Sequence, residues 1–202
     1  LPISFCRGRI FDVVEKDCGQ YDTVTEVMWV TGAALFIRLA DYREVGGLDG
    51  HFFAHMEEID LCWRLRSRGK KLVCIPQSVV YHVGGATLKK ENPRKTFLNF
   101  RNNLLMLYKN LPDKELEHVL FIRGILDRVA ALVFYLKKDR ANARAVMQAR
   151  REFEDIRYSF AASRIENMMK STDEIIPERT HFSIVMKYYL LGKKHFSQLK
   201  LF

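Results

Sequence analysis

The chain has 202 residues and a mass of 23.7 kDa, enough for one domain or a compact domain with an appendage; 48% of it is hydrophobic, with 14 Phe, 8 Tyr and 2 Trp. That composition supports a packed core and excludes a disordered chain or a coiled-coil rod. The formal charge of +9 is uneven, with a net −1 over residues 1–85 and +10 over residues 86–202, so the second half invites an anionic partner: nucleic acid, a phosphorylated substrate or an anionic lipid surface.

Residues 1–25 are mixed and turn-rich and predict loops. Residues 26–38 (EVMWVTGAALFIR) are β-branched and aromatic on both sides of Gly32, Ala33 and Ala34. This pattern predicts a buried strand, interrupted where a backbone or ligand comes close. A short helix over 39–45 is stopped by Gly46 and Gly47, and residues 48–56 (LDGHFFAHM) read as an aromatic loop. Residues 57–68 open with Glu57, Glu58 and Asp60 and close with Arg66, Arg68 and Gly69, which matches the helix dipole and C-terminal capping. Asp60 and Arg64 are spaced to pair at i, i+4. Residues 71–75 and 78–82 predict two short strands around Pro76.

The polar stretch 86–95 divides the chain into an α/β part, 1–92, and a basic helical part, 93–202. Beyond it, apolar residues at three- and four-residue spacing predict helices over 96–110, 113–136 and 140–162, and a weaker one over 180–191. Cys6, Cys18, Cys62 and Cys74 form no CxxC pair, which favours a reduced, cytoplasmic chain. No uncharged apolar run is long enough to span a bilayer; the nearest, 119–136, is broken by Arg123, Asp127 and Arg128. Without a signal peptide or an initiator Met, the sequence reads as a piece of a longer chain.

The chemistry-bearing cluster lies in HFFAHMEEIDLCWRLRSRGKKLVCIPQSVVYHVGG. Acids at a helix N-terminus stabilise the macrodipole and need no further purpose. His82, at a strand end before two glycines, is either a surface turn residue or a group placed where α/β proteins bind ligands. Taken together, residues 29–85 resemble family 2 glycosyltransferases, especially bacterial rhamnosyltransferase-like members. The resemblance is carried by WVTGAALFIR running on to VGGLDGHFF, by EEIDLCWR, and by IPQSVVYHVGG, with FRNNLLMLYKN resembling a helix that often follows. The block ends at residue 110, and its combination is specific where each piece alone is weak.

The resemblance implies a GT-A type mixed sheet with flanking helices, an inverting reaction, a nucleotide-diphosphate sugar donor and a divalent metal, Mn²⁺ or Mg²⁺. It further implies a glycan or lipid-linked acceptor, as in envelope polysaccharide synthesis. It places the general base on Glu58, where Glu stands for the family's usual Asp, with Glu57 as the alternative and Asp60 orienting the helix start through Arg64. His82 aligns with a metal ligand of some relatives. Trp29, Gly32, Phe52, Phe53 and Arg101 are the candidate substrate contacts; Trp29 is equally suited to the core, and Gly32 to close helix packing. No Asp-x-Asp metal motif occurs in the sequence, so the nucleotide-binding half is expected elsewhere and these residues alone are expected to be inactive.

Residues 119–136, followed by Lys137, Lys138, Arg140, Arg144, Arg150 and Arg151, suit either a helix lying at the inner face of the cell membrane or a helix packed on its own domain. Two other classes compete with sugar transfer. A non-catalytic membrane-docking or assembly module would make the helices the purpose of the chain. A nucleic-acid-binding module would use the +10 half, but it lacks a binding motif and leaves the acids unexplained, so no nucleic-acid partner is expected.

Overall fold

The computed structural model describes residues 4–82, 92–172, 176–180, 182–199 and 201. The first elements are two-residue strands, β1 (Arg9–Ile10) and β2 (Val13–Val14), which form an antiparallel hairpin where the sequence had predicted only loops. β3 (Thr25–Glu26) follows, then the short helix α1 (Leu39–Glu44) and α2 (Glu57–Ser67). β4 (Val73–Cys74) returns to pair antiparallel with β3.

The remainder is helical: α3 (Pro93–Asn110), α4 (Asp113–Leu136), α5 (Arg140–Ile156) and α6 (Ala161–Met169). Local chemistry sets the helix starts. Asn92 caps α3, with Pro93 as its first residue, and Asp139 caps α5 by accepting from the Asn142 amide. The single long helix expected over 140–162 is broken by a 3₁₀ turn at Arg157–Phe160, and the weak C-terminal helix reduces to a π-helical turn at Met186–Leu190. Among the described residues no helix is long and apolar enough to cross a membrane.

The described residues are thus mostly helical, with two two-stranded sheets, and the GT-A mixed sheet expected of residues 1–92 is not among them. The physical reason is visible at residues 27–31 and 75–82. Past β3 and β4 the only ladder-like bond among the described residues is Val27 N–H to the Leu72 carbonyl, 2.9 Å, so within them the β-branched flanks have no neighbouring strand to pair with. The small residues expected inside a strand instead make a 3₁₀ turn at Gly32–Ala34, where the Thr31 hydroxyl accepts from the Ala33 amide. The segment 78–82 is not a strand, and the expected boundary at 86–95 lies, through residue 91, outside the described residues.

One apolar core joins α2 to the helices that follow. Ile59 and Trp63 from α2 and Phe52 from the preceding loop pack with Leu104, Leu105, Leu107 and Tyr108 of α3, Leu116 and Val119 of α4, and Phe153 of α5. Smaller clusters seat α1 on α2 through Val45, Leu61 and Leu65, and the hairpin on the C-terminal turn through Ile10, Ile184 and Phe196.

Candidate active site

α2 begins on a backbone that resists ordinary side chains. Phe53, His55 and Met56 have φ of 62°, 70° and 75°, a region where each non-glycine residue is strained. At Phe53 the strain is a γ-turn: ψ is −58° and the Ala54 amide donates to the Phe52 carbonyl at 2.7 Å. Such outliers persist only where surrounding contacts hold them, and they concentrate at functional sites. Here they end directly at Glu57 and Glu58.

The contacts that hold this turn come from α3. Asn102, fully buried, aims its amide at three carbonyls of the turn: Phe52 (2.8 Å), Ala54 (2.8 Å) and His55 (2.9 Å). The neighbouring Arg101 donates to the His51 carbonyl at 3.1 Å and to Asn102 Oδ1 at 3.0 Å, and pairs with Glu152 at 2.7 Å. Seven residues on, Lys109 bridges Asp49 (2.8 Å) and Asp60 (3.0 Å), while Asn110 donates to Asp60 at 2.7 Å. Asp60 is wholly buried and also accepts from Arg64, at 3.0 Å to Nε and 2.8 Å to Nη2. Arg64 in turn donates to the carbonyls of Val45 and Gly47, tying the α1 cap to α2. The i, i+4 pair expected of Asp60 and Arg64 therefore exists, as one edge of a larger buried network. Lys109 and its hydrogen bond draw Asp49 down to about 2, against the opposing effect of its burial.

Glu58 is different. Burial pushes its carboxyl pKa up, and the neighbouring Glu57 adds to the effect. Its Oε2 is buried without a hydrogen-bond partner among the described residues, as are Glu57 Oε2 and His55 Nε2. Burial, with Lys95 nearby, lowers the His55 pKa, so a neutral ring is favoured there. Three unsatisfied polar atoms on one strained turn are what a site awaiting a polar ligand would carry. Gly32 lies alongside: a Cβ placed on it would come to 3.7 Å from the Cβ of Glu58, so the 3₁₀ turn and the acidic helix start face one another.

The other candidates separate clearly. Phe53 is exposed, with Arg94 stacked over its ring, whereas Phe52 is fully buried beneath Lys109 and belongs to the core. Of the pair, only Phe53 is open to a ligand. Trp29 is half-buried against the core and lines, with Trp63 and Ile59, a largely apolar cavity of about 960 Å³. Neither Glu57, Glu58 nor Gly32 lines that cavity. Arg101 commits its donors within the protein. His82 is exposed, and among the described residues no three His, Cys, Asp or Glu side chains converge to hold a metal ion. Among the described residues the divalent metal implied by the resemblance has no ligand set.

Asn102, Lys109, Asn110 and Asp49 were not among the sequence candidates. A signal for the three on α3 was nonetheless present: Asn102 with Lys109, and Asn103 with Asn110, recur at seven-residue spacing on either side of the apolar run LLMLY, where polar side chains on a buried face need partners.

Comparison with known proteins points the same way. The chain is 32% identical over 80 residues to the rhamnosyltransferase WbbL of Escherichia coli K12, covering 40% of this chain and 30% of that protein. It is 31% identical over 141 residues to the pre-mycofactocin glycosyltransferase of Mycobacterium tuberculosis, covering 64% of this chain and 29% of that one. It is 38% identical over 56 residues to the N-acetylglucosaminyl-diphospho-decaprenol L-rhamnosyltransferase of Mycobacterium tuberculosis, covering 28% and 18%. The chain thus has distant, partial similarity to bacterial glycosyltransferases. It spans less than a third of the length of these curated relatives. No family model and no solved structure matches it.

Proposed function

We propose that residues 1–92 are the acceptor-side catalytic part of an inverting glycosyltransferase, held in shape by the helices of residues 93–202. The substrates would be a nucleotide-diphosphate sugar and a hydroxyl of a glycan or lipid-linked acceptor. The observation that carries this reading is Glu58: a half-buried carboxylate whose Oε2 is buried and unpartnered among the described residues, at the end of a strained turn, on a chain whose relatives transfer sugars. In the proposed step the acceptor oxygen attacks the anomeric carbon while Glu58 takes its proton. The bond from that carbon to the diphosphate breaks, and the electron pair leaves with the diphosphate. A base whose pKa is raised is a stronger proton acceptor once ionised, and its Oε2 has hydrogen-bonding capacity that no described residue uses.

The donor pocket and the metal are proposed to lie outside the described residues. The test is therefore made in the longest natural polypeptide that carries this sequence. Glu58→Gln keeps size and polarity but cannot accept a proton, so turnover is expected to fall about a hundredfold or more with donor binding retained. In the unaltered enzyme the rate should rise with pH through the raised Glu58 pKa, because only the ionised carboxylate works. Unchanged turnover in Glu58→Gln removes Glu58 as the base; the same loss in Glu57→Gln alone moves the role to Glu57.

A further inference from the structure

α4 is built inside out. Its charged side chains Arg123 and Asp127 point inward, where they pair at 2.9 Å, and Asp127 is joined by Arg150 of α5, also at 2.9 Å. The Arg123 contact is an ion pair with poor hydrogen-bond alignment, since Asp127 Oδ1 has no well-directed donor. Gly124 makes room for the cluster: a Cβ there would meet the guanidinium of Arg128 at 3.1 Å and that of Arg150 at 3.4 Å. Outward, by contrast, run Phe121 (69% exposed), Ile125, Val129, Leu132 (55%), Val133 and Leu136 (70%). The spacing is that of a single helix face, about 22 Å long at 1.5 Å per residue. A water-facing helix places these two sets the other way round, and an exposed apolar strip of this size signals a partner.

The rim of the strip says which partner. Arg128, at the edge of the strip, folds back to donate to the Gly124 carbonyl at 2.9 Å, Lys137 and Lys138 follow the C-terminal end, and all three residues are exposed. Arg140 and Arg144 of α5 share a shallow groove with Leu132 and Tyr135, and the Arg140 guanidinium sits 5.8 Å from the Tyr135 ring. Of the acids nearby, Asp139 is used to cap α5 and Glu152 is paired with Arg101, leaving Asp155 at the groove. Apolar side chains ringed by Lys, Arg and Tyr match a bilayer with anionic headgroups: acyl chains take the strip and headgroups the rim. A second copy of the chain would bring the same positive rim against itself.

We propose that the outward face of α4, with its basic rim from the start of α5, is a surface that docks on anionic phospholipid membranes. It does not depend on the sugar-transfer reading and would survive that reading's failure.

The 202-residue chain is mixed with phosphatidylcholine vesicles, with and without phosphatidylglycerol, and sedimented at low and high salt. Binding is expected to favour the anionic vesicles and to weaken without vanishing as salt rises, because the apolar contribution is not screened. Phe121→Ser and Leu132→Ser should each lower the residual high-salt binding by about tenfold. Lys137→Gln and Lys138→Gln should each lower only the low-salt binding, by about fivefold. All four positions are exposed, so the variants should melt with the parent; a collapse of Phe121→Ser would place that face in a core and overturn the proposal. Equal affinity for both vesicles, or none for either, would also overturn it. So would a concentration-dependent dimer that Leu132→Ser dissociates in the absence of lipid binding.

Discussion

Replacing Asn102 by alanine should release the turn that presents Glu58. The Asn102 amide is the common partner of the Phe52, Ala54 and His55 carbonyls, at 2.8, 2.8 and 2.9 Å, the first bond buried and the other two half-buried. Two N–H groups serve three acceptors, so at most two full bonds are lost, each with a carbonyl left behind, or about 2–4 kcal/mol in all. Against this, Phe53, His55 and Met56 sit at positive φ at a cost of about 1–2 kcal/mol each, and the turn recovers part of that cost when it relaxes. The net loss of stability is therefore expected at about 2–3 kcal/mol, a fall of roughly 4–12 °C in melting temperature for a chain of this size. Thermal and urea unfolding followed by circular dichroism measure that loss. Carbon-detected titration of the glutamate carboxyls then reads the local consequence: the Glu58 carboxyl should move back toward the ordinary carboxylate range as water reaches it. Asn102→Asp should be worse than Asn102→Ala, because it turns a carboxylate toward three carbonyls. An Asn102→Ala protein that melts with the parent and keeps the parent's Glu58 titration would refute the idea that this amide holds the turn.

The buried network around Asp60 yields a second expectation. Asp60→Ala leaves Arg64, Lys109 and Asn110 facing an apolar gap and should cost about 3–5 kcal/mol in urea unfolding; a loss under about 1 kcal/mol would show that the network is not holding the helix start. Asp49, held down to about 2 by Lys109, contributes stability that is present above the ordinary aspartate pKa and lost as pH falls from about 4 toward 2. Asp49→Asn should flatten that part of the stability curve, and an unchanged acid limb would count against the Lys109 bridge. Phe53→Gly removes the positive-φ strain from an exposed side chain and, after the entropy of glycine is set against it, should stabilise the fold by about 0.5–1 kcal/mol. A clear destabilisation there would mean that the Phe53 ring, with Arg94 stacked over it, holds the turn after all.

How much of this could be read from the sequence differed by scale. α2, α3, α4 and the start of α5 were legible because their periodicity and end signals are local, whereas the break at Arg157–Phe160 and the shortness of the 180–191 helix were not; Glu57, Glu58 and Asp60 opening a helix is a pattern that needs no tertiary knowledge. The strands were not. EVMWVTGAALFIR has every β-forming residue, but a strand exists only where a neighbour supplies the ladder, and the described residues supply two bonded positions. Arg123 and Asp127 of α4 are four apart and so share a face, yet the direction of that face is not legible, since spacing fixes which residues share a face but not which face meets the core. The site divided in the same way. Asp60 with Arg64 is an i, i+4 pair and could be anticipated, whereas Lys109 and Asn102 reach Asp60 and the turn from about 50 residues away.

That long-range wiring also explains why the buried charges sit where they do. A network of Asp49, Asp60, Arg64 and Lys109 is a poor way to gain stability, because apolar side chains of the same volume would do as well or better without desolvation. What it does supply is direction. Asp60 fixes the first turn of α2 from inside, Arg64 fixes the carbonyls ahead of the loop, and Asn102 fixes the loop itself, so the three strained residues have no low-energy alternative. Two carboxylates of the same helix start, Glu57 and Glu58, stand outside this scheme. Glu58 is half-buried and has no ion pair among the described residues; burial, with Glu57 beside it, raises its pKa, and its Oε2 stays unpartnered. Asp60 and Glu58 thus show one helix start assigning two carboxylates opposite environments, the first neutralised to hold shape and the second left able to accept a proton.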